Sequence, residues 1–467
     1  MNRLVLLIAA LLVLAGLGAR GIWESDEGRY AAAAVRMVDS GDWLTPRLDL
    51  DAPHLTKPPL TYWSVATSIA LFGRSELAAR LPNAIAFLLT VLILLRLGPA
   101  FAPERPWLPG LIYATAPATV LGASVITTDT LLTLFEVAAV YCWWRGRDGA
   151  ARWRVAMWLA CGLGFLTKGP PALLPLLAIL AFHFARDERP ALRRLFTPLG
   201  IALFLVVGGG WFALQIARDP SLAGWFFGHE FVDRIATPVH DRNPQWYAPF
   251  TVYLPVLVGG LLPWLLLLRW RGPWIAEPGW YRSRSAERVW PTLWFTIPFI
   301  VFCGSQSRQP GYMLPLIAPL ALMLGRELAP RIDLAQRGSR VVLALALLVT
   351  LALQVWTGQW QHYKDSRALR DHLVAEAGLV ATDRVLFVDR WPQWGLRFYL
   401  PVSIGHLESV TEACAALAPT GRTLLITRGE RVRALEDALA VCGVAFRLLP
   451  LPHYDARSVI VTRRAPP

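Results

Sequence analysis

The sequence has few charged residues and no long polar stretch. Asp, Glu, Lys and Arg make up 17% of the 467 residues, whereas an ordinary soluble protein has about 25%. Hydrophobic residues reach 55%, and apolar runs recur from residue 4 to about residue 355, so lipid must solvate most of the chain. This composition excludes a simple water-soluble globule and indicates a polytopic membrane protein.

Cysteine is also scarce. The five cysteines form no CxxC pair and no Cys/His spacing typical of a zinc or redox site. Cys142, Cys161 and Cys303 lie in apolar runs. Cys414 and Cys442 are the one pair that could form a disulfide, and only if that end of the chain is extracytoplasmic.

Lysine is the rarest charged residue. Of 46 basic residues only three are lysine, namely Lys57, Lys168 and Lys364. The net charge of +13 comes mostly from arginines in short clusters between apolar runs, where the positive-inside rule expects them. Nucleic acid is therefore not an expected partner. A lysine kept in so arginine-rich a chain indicates a position where a compact ammonium fits and a planar guanidinium does not, although chance in a small sample is the alternative.

Apolar runs long enough to cross, or nearly cross, a bilayer predict about eleven spans. They lie at about 4–19, 77–95, 106–123, 130–144, 153–167, 169–185, 195–214, 248–268, 289–303, 312–325 and 341–357. The first run also has the features of a cleaved signal peptide.

The arginines predict the orientation. With the N-terminus in the cytoplasm, the arginine-rich loops near 145–154, 186–194 and 269–288 fall inside. Two long loops, 21–76 and 215–247, then lie outside. This orientation requires the segment Pro59 to Phe72 to be an interfacial or re-entrant helix, with Tyr62 and Trp63 at headgroup level.

The character of the sequence changes near residue 359. Candidate strands at Arg384 to Val388, Arg422 to Thr427 and Ser458 to Thr462 alternate with candidate helices at Ser366 to Ala377 and Gly429 to Cys442. We therefore predict a transmembrane helical domain over 1–358 and a small extracytoplasmic α/β domain over 359–467.

Polar residues collect on the predicted outer side. In the first loop, Asp26 and Glu27 precede Arg29, and Lys57 precedes two prolines that stiffen the backbone. A fixed cation near fixed carboxylates suits the departure of a phosphate leaving group, while a simple helix start is the alternative for the acidic pair. The same side receives Asp129, Lys168, His229, Arg234, Arg308 and Tyr312. For Asp129, capping of a helix is an alternative of equal weight to a role in the site. For the segment around His229, solvation at the membrane interface is the corresponding alternative. Glu136 lies within a span and should face the protein interior.

Seven motifs carry a family resemblance. In order they are DEGRYA, SGDWLTPRL, KPPLTYW, TTDTLLTLF, FLTKGP, GHEFVDR and RQPGYMLPL. The series resembles the bacterial aminoarabinose (ArnT-like) transferases and their relatives in the protein-mannosyltransferase superfamily, which are membrane glycosyltransferases of the GT-C fold. The resemblance covers about residues 20–330.

The resemblance implies roles for these residues. Asp26, with Glu27 beside it, matches the acidic residue that acts near the acceptor hydroxyl. Arg29, Lys57, Lys168 and Arg234 match positions that contact the carrier phosphate, Tyr312 and Asp129 match residues of the same site, and His229 matches a metal ligand. We place Arg308 with the phosphate-binding group because it lies on the same predicted side.

One position departs from the family pattern. The aminoarabinose enzymes have an acidic metal-binding residue directly before the first-loop lysine, and here that position is Thr56, with His54 two residues earlier. This leaves two alternatives. We expect sugar transfer that needs no metal. The other alternative is a divalent cation (Zn²⁺ or Mg²⁺) that binds together with the lipid donor.

The implied function is transfer of a sugar from a polyprenyl-phosphate carrier to a lipid A-type glycolipid, another envelope glycan or a protein. The reaction is expected on the outer face of the cytoplasmic (inner) membrane. A lipid-linked sugar transporter or flippase is the alternative, but it predicts charges near the bilayer midplane rather than at one mouth. A receptor or scaffold would not need eleven spans.

Overall fold

The computed structural model describes most of the chain. The described residues are 1–48, 53–147, 149–233, 237, 242–268, 285–333, 335–359, 364–389, 392–417, 422–451 and 457–463. They form two compact units. Unit 1 comprises Met1–Leu17, Thr56–Thr61 and Arg80–Trp356, and unit 2 comprises Gly18–Leu55, Tyr62–Ala79 and Thr357–Pro467.

Up to residue 359 the described chain is helical. The α-helices are α1 (Asn2–Leu14), α2 (Asp26–Ser40), α3 (Leu60–Phe72), α4 (Glu76–Phe101), α5 (Leu108–Thr115), α6 (Pro117–Ala123), α7 (Thr128–Gly146), α8 (Ala151–Lys168), α9 (Leu174–Ala185), α10 (Arg189–Leu195), α11 (Pro198–Phe204), α12 (Gly210–Arg218), α13 (Leu222–Gly224), α14 (Leu254–Leu261), α15 (Ala286–Gly304), α16 (Leu314–Leu328) and α17 (Arg337–Gln359). Short 3-10 helices at Pro170–Leu173, Trp264–Leu267 and Pro310–Met313 and π-helices at Leu205–Gly209, Trp225–Asp233 and Pro249–Tyr253 join them.

Each predicted apolar run lies on one or more of these helices. Among the described residues, α4, the stretch Pro198–Arg218 and α17 are long and apolar enough to cross a bilayer, and the bent pair α6–α7 makes a fourth. The other runs are shorter, broken or less apolar helices, so the count of eleven spans stays a prediction. Large side chains such as Leu348 (62% exposed) and Trp356 (55% exposed) on α17 are of the kind that lipid covers.

Small residues bring the helices of unit 1 close together. A Cβ placed on Gly162 of α8 would lie 3.3 Å from the Cα of Phe204, so the α8 and α11 backbones meet where glycine leaves room. A cluster of indoles fills the core near one end, where Trp143 and Trp290 have ring centroids 4.3 Å apart. Glu136 is 4% exposed, which confirms that it faces the protein interior.

Unit 2 contains a five-stranded sheet. Its strands are β1 (Arg384–Val388), β2 (Ser403–Leu407), β3 (Arg422–Arg428), β4 (Ala445–Leu451) and β5 (Arg457–Arg463), in the order β2-β1-β3-β5-β4. The β2-β1-β3 pairs are parallel and the β3-β5-β4 pairs antiparallel. Helices α18 (Ser366–Ala377), α19 (Leu396–Tyr399), α20 (Ala413–Ala416) and α21 (Val432–Val441) accompany the sheet.

The predicted α/β pattern is thus present, and the sequence missed two strands. β2 contains Gly405 and His406, and β4 contains Pro450 and is followed by Pro452, residues that weaken a strand pattern. The boundary between 1–358 and 359–467 stays a prediction, because unit 2 also takes in much of the first outer loop.

Backbone pairing joins that loop to the sheet region within unit 2. Trp23 and Asp365 form an antiparallel bridge, and the Glu24 N–H donates to the Lys364 carbonyl at 2.9 Å. Tyr62 of α3 is 1% exposed, and its ring centroid lies 5.3 Å from that of Tyr30. Protein therefore covers the ring, and its place at headgroup level stays a prediction.

Candidate active site

The first predicted carboxylate starts helix α2. Asp26 is the first residue of α2 and pairs with Arg29 one turn later. Its side chain is 39% exposed and that of Arg29 is 25% exposed. A carboxylate at a helix N-terminus is stabilised as an anion by the unpaired backbone N–H groups. Asp26 therefore combines a fixed position with access from outside the protein.

Glu27, its neighbour, has a different environment. Its side chain is 1% exposed, and its Oε2 accepts hydrogen bonds from Arg20 Nη1 at 2.7 Å and from the Trp23 N–H at 2.9 Å. Arg20 also lies over the Trp23 ring at 4.4 Å. This buried pair fixes the chain as it enters α2, so the geometry favours a positioning role for Glu27 over the predicted catalytic one.

A second charged pair lies where α7 begins and α8 ends. Asp129 is in the first turn of α7, and Lys168 is the last residue of α8. Their side chains form an ion pair and are 12% and 10% exposed. The Lys168 ammonium also lies 4.4 Å from the ring centroid of Tyr312. The structure thus brings together three predicted site residues that are up to 183 positions apart in the sequence.

Gly311 explains how Tyr312 reaches this pair. A Cβ at Gly311 would lie 2.7 Å from Asp129 Oδ2, so any side chain there would displace the carboxylate. The RQPGYMLPL motif therefore packs its glycine against the TTD motif and places its tyrosine ring against the lysine.

Lys57 forms a separate ion pair with Glu230. Their charged atoms are 3.6 Å apart, and the side chains are 13% and 6% exposed. Lys57 also donates to the Thr56 carbonyl at 2.8 Å. Glu230 was not among the sequence-predicted site residues, and the one signal for it was its position beside His229.

Arg308 holds loops together. Its Nη1 donates to the carbonyls of Asn243 and Gln245, both at 3.0 Å, and its Nη2 donates to the Cys303 carbonyl at 3.0 Å. The residue is 4% exposed. With so many of its donors engaged by backbone carbonyls, the geometry favours a structural role for Arg308 over the predicted phosphate contact.

Two of the predicted site residues, His229 and Arg234, lie partly or wholly outside the described part of the chain. The His229 backbone lies in the π-helix Trp225–Asp233, but its side chain is outside the described part of the chain, as is all of Arg234. Within the described residues, no three His, Cys, Asp or Glu side chains come together as metal ligands. The alternatives for a divalent cation therefore stay open.

The fold defines the class of protein. The structure of ArnT from Cupriavidus metallidurans bound to undecaprenyl phosphate matches with a TM-score of 0.81 at 21% identity, covering 98% of this chain and 97% of that one. This likeness confirms the predicted GT-C fold, a membrane helix bundle with a small α/β domain.

Sequence comparison gives the family. Residues 56–211 match the family model described as dolichyl-phosphate-mannose-protein mannosyltransferase. The undecaprenyl phosphate-alpha-4-amino-4-deoxy-L-arabinose arabinosyl transferase of Aeromonas salmonicida is 31% identical over 84% of this chain and 73% of its own length. The chain belongs to this family of aminoarabinose transferases, as the motifs predicted.

The match is not full length in every relative. Arabinosyl transferase 2 of Pseudomonas fluorescens (strain Pf0-1) is 32% identical over 71% of this chain, and the matched part is 60% of that relative. This chain therefore spans less than two thirds of the length of that relative.

Proposed function

We propose that the chain is a glycosyltransferase that moves a sugar from a polyprenyl-phosphate carrier to an acceptor at the outer face of the cytoplasmic membrane. The names of the relatives specify an undecaprenyl-phosphate-linked donor. The similar Cupriavidus metallidurans structure contains undecaprenyl phosphate. Both support a polyprenyl-phosphate donor for this chain.

The observation that carries the proposal is the setting of two of the three lysines. Lys57 forms an ion pair with Glu230 and Lys168 forms one with Asp129, and both lysine side chains are largely shielded from solvent. An ammonium has three N–H donors, and at Lys168 the described residues show one hydrogen bond, from Nζ to Asp129 Oδ1. Enclosure strengthens the attraction between such a cation and an incoming phosphate. These lysines are therefore suited to hold a phosphate while it departs.

The reaction follows from these residue types. The acceptor hydroxyl oxygen attacks the anomeric carbon, the bond from that carbon to the phosphate oxygen breaks, and the phosphate leaves with the bonding electrons. Asp26 accepts the hydroxyl proton as general base. Lys57 and Lys168 stabilise the charge that develops on the leaving phosphate, with Arg29 and Arg234 proposed to assist. Glu27 holds Asp26 in position through Arg20.

The sugar and the acceptor are less sharply defined than the type of reaction. Aminoarabinose is the sugar in the names of the relatives, while Thr56 stands where the aminoarabinose enzymes have an acidic residue. We propose an aminoarabinose-like sugar as donor group and a lipid A-type glycolipid as acceptor, with another envelope glycan or a protein as the alternative acceptor.

The test is a transfer assay on purified protein in lipid nanodiscs. Undecaprenyl-phosphate aminoarabinose serves as donor and lipid A as acceptor, and mass spectrometry detects the product. Lys57→Ala should reduce product formation strongly, and Lys364→Ala, which changes the third lysine, should not. Translocation of intact donor across a sealed vesicle membrane without sugar transfer would instead establish a flippase.

The proposed orientation has its own test. In a variant whose free cysteines Cys142, Cys161 and Cys303 are replaced by alanine, a cysteine is introduced at exposed Ser221 or at exposed Ala151. Ser221→Cys should react with a membrane-impermeant thiol reagent in intact spheroplasts, and Ala151→Cys should not. The reverse pattern would overturn the orientation.

A further inference from the structure

The helices that carry Asp129 and Lys168 have a second charged cluster at their other ends. A cavity of about 190 Å³ is located there. Its lining includes Trp143, Arg147, Arg154, His183, Glu188 and Arg194. Helix α7 covers about 25 Å between Asp129 and Gly146 at its usual rise, close to the thickness of the hydrocarbon core of a bilayer. The ion pair and the cavity therefore lie at opposite ends of one hairpin.

A buried histidine forms a rigid wall of the cavity. His183 is 2% exposed. The Trp143 indole N–H donates to His183 Nε2 at 3.0 Å, and His183 Nδ1 lies 2.8 Å from Glu188 Oε2. Because an indole nitrogen only donates, Nε2 must be the acceptor and Nδ1 must carry the proton. The ring is therefore neutral, and its Nδ1–H donates to Glu188 Oε2.

The cavity nevertheless has an excess of positive charge. Among the residues that the structure describes, Glu188 is the one carboxylate in the lining, and it is also bound by Arg186 at 3.2 Å. Three further arginines, Arg147, Arg154 and Arg194, line the same cavity. The cluster is thus suited to an anion that the protein itself does not supply.

Two of these arginines keep N–H donors for an oxyanion. Arg147 lies 4.2 Å over the Trp144 ring, and a guanidinium stacked in this way keeps its N–H edge available. Arg154 Nη1 donates to the Gly146 carbonyl at 3.3 Å, while its Nε is buried and has no hydrogen-bond partner among the described residues. A buried donor without a partner is costly, and a phosphate oxygen would satisfy it.

We propose that this cavity binds the phosphodiester of an anionic phospholipid in the membrane leaflet opposite the one that the sugar-transfer site faces. The assignment of that leaflet to the cytoplasmic side rests on the proposed function, but the binding does not. Basic pockets between transmembrane helices recur as sites for anionic headgroups.

Size and surroundings favour a lipid over a soluble ligand. The volume of about 190 Å³ is below the roughly 300 Å³ at which sites for drug-sized molecules begin, yet it is sufficient for a phosphate group. Exposed apolar side chains lie on the neighbouring elements, including Phe184 (78% exposed), Phe196 (45%) and Leu199 (62%). Acyl chains would cover these side chains while the headgroup phosphate occupies the cavity.

The experiment measures lipid retention by native mass spectrometry on the full-length protein from nanodiscs containing phosphatidylcholine with or without phosphatidylglycerol. The unchanged protein should retain phosphatidylglycerol, and Arg154→Gln and Arg194→Gln should each weaken retention by about tenfold. Arg189→Gln is the matched control, since Arg189 lies on the same helix as Arg194, is 80% exposed and pairs with Asp187. It should behave as the unchanged protein does.

Two results would overturn the proposal. Equal retention in Arg154→Gln, Arg194→Gln and Arg189→Gln would show that the cavity is not the lipid site. Displacement of phosphatidylglycerol by millimolar inorganic phosphate would show that the ligand is a soluble phosphate rather than a lipid. If Arg154→Gln does not fold, the exposed Arg194 still provides the comparison, because its side chain has no structural bond to lose within the described residues. Sugar transfer is not the readout, so either result leaves the proposed function intact.

Discussion

Asp26 and Asp129 are both aspartates at the start of a helix, both paired with a cation, and yet their surroundings differ. The Asp26 side chain is 39% exposed beside an arginine in unit 2. The Asp129 side chain is 12% exposed beside a lysine and a tyrosine ring in unit 1. An exposed carboxylate is open to an incoming hydroxyl, whereas an enclosed one mainly fixes the position of its cation.

The comparison separates proton transfer from phosphate binding. Asp26 has the access that a general base needs. Asp129 is the partner that orients Lys168 in an enclosed site, where an isolated ammonium would be costly. Four predictions test this separation, in order of decreasing effect on transfer.

The largest effect is expected for Asp26→Asn. The amide keeps the size of the side chain but accepts no proton, so the transfer rate should fall by about 10² to 10⁴ while the protein remains in the membrane. Asp39→Asn is a matched control, because Asp39 lies on the same helix, is 36% exposed and pairs with Arg74. The transfer assay with the polyprenyl-phosphate donor measures both. Near-normal turnover in Asp26→Asn would remove Asp26 from the catalytic role.

A smaller loss of transfer activity is expected from changes to the enclosed ion pair of Lys168 and Asp129. Lys168→Ala removes a charge-assisted bond to the leaving phosphate and should lower the transfer rate by about 10- to 100-fold. Lys168→Arg keeps the charge, but its planar fork does not fit between Asp129 and the Tyr312 ring, so it should lose most of the same activity. Full activity of Lys168→Arg would show that charge alone matters. Asp129→Asn should lower activity less than Asp26→Asn does.

Part of this site was predictable from the sequence. Lys168 and Asp129 were predicted because the scarcity of lysine and the placement of arginine select them before any contact is known. The helices and three of the five strands followed from hydrophobic periodicity. What remained hidden depends on tertiary packing. Glu230 pairs with Lys57 across 173 positions, and nothing local in either segment indicates that these two side chains meet.

The same limit applies to roles. Glu27 and Arg308 have the residue types of a catalytic carboxylate and a phosphate-binding cation, so the sequence placed them in the site. Their burial against Arg20 and against backbone carbonyls is visible only in the fold. Residue type and order thus predicted the candidate segments, while burial distinguishes groups that are engaged by the protein from groups that an incoming substrate can reach.

A third acidic residue, Glu24, makes the stability of the protein depend on pH. Burial raises the pKa of Glu24 to about 8, and Glu27 raises it further, while the Gly395 N–H, the Ser366 hydroxyl and Arg29 oppose the shift. Glu24 is therefore neutral at physiological pH. Because its folded pKa is raised, its contribution to stability is complete below its unfolded pKa and is lost as pH rises through about 8.

Glu24→Gln should remove this pH dependence. Glutamine imitates the protonated acid and keeps the acceptor oxygen for Gly395 and Ser366, so thermal stability and transfer should decline less on the alkaline side than in the unchanged protein. Glu376→Gln, at an exposed residue of the same helix as Ser366, is the control. The pH profiles of melting temperature and transfer rate measure the effect. Identical alkaline limbs for Glu24→Gln and the unchanged protein would contradict it.

The smallest effect on transfer, and a clear effect on stability, is expected from the disulfide. Cys414 and Cys442 are bonded, with Cα atoms 6.2 Å apart and a sequence separation of 28. Closing a loop of that length stabilises a fold by about 3 to 4 kcal/mol in the chain-entropy model. Cys414→Ser together with Cys442→Ser should therefore lower the unfolding temperature of unit 2, which contains Asp26, with little change in the transfer rate well below that temperature. Cys303→Ser, at a free and partly buried cysteine of unit 1, is the control and should leave the unit 2 transition unchanged.

Because disulfide bonds persist in extracytoplasmic compartments and rarely in the cytoplasm, protein isolated with its thiols blocked also reports orientation. Alkylation of both Cys414 and Cys442 in unreduced protein would contradict the bond and, with it, the extracytoplasmic placement of the unit that carries Asp26.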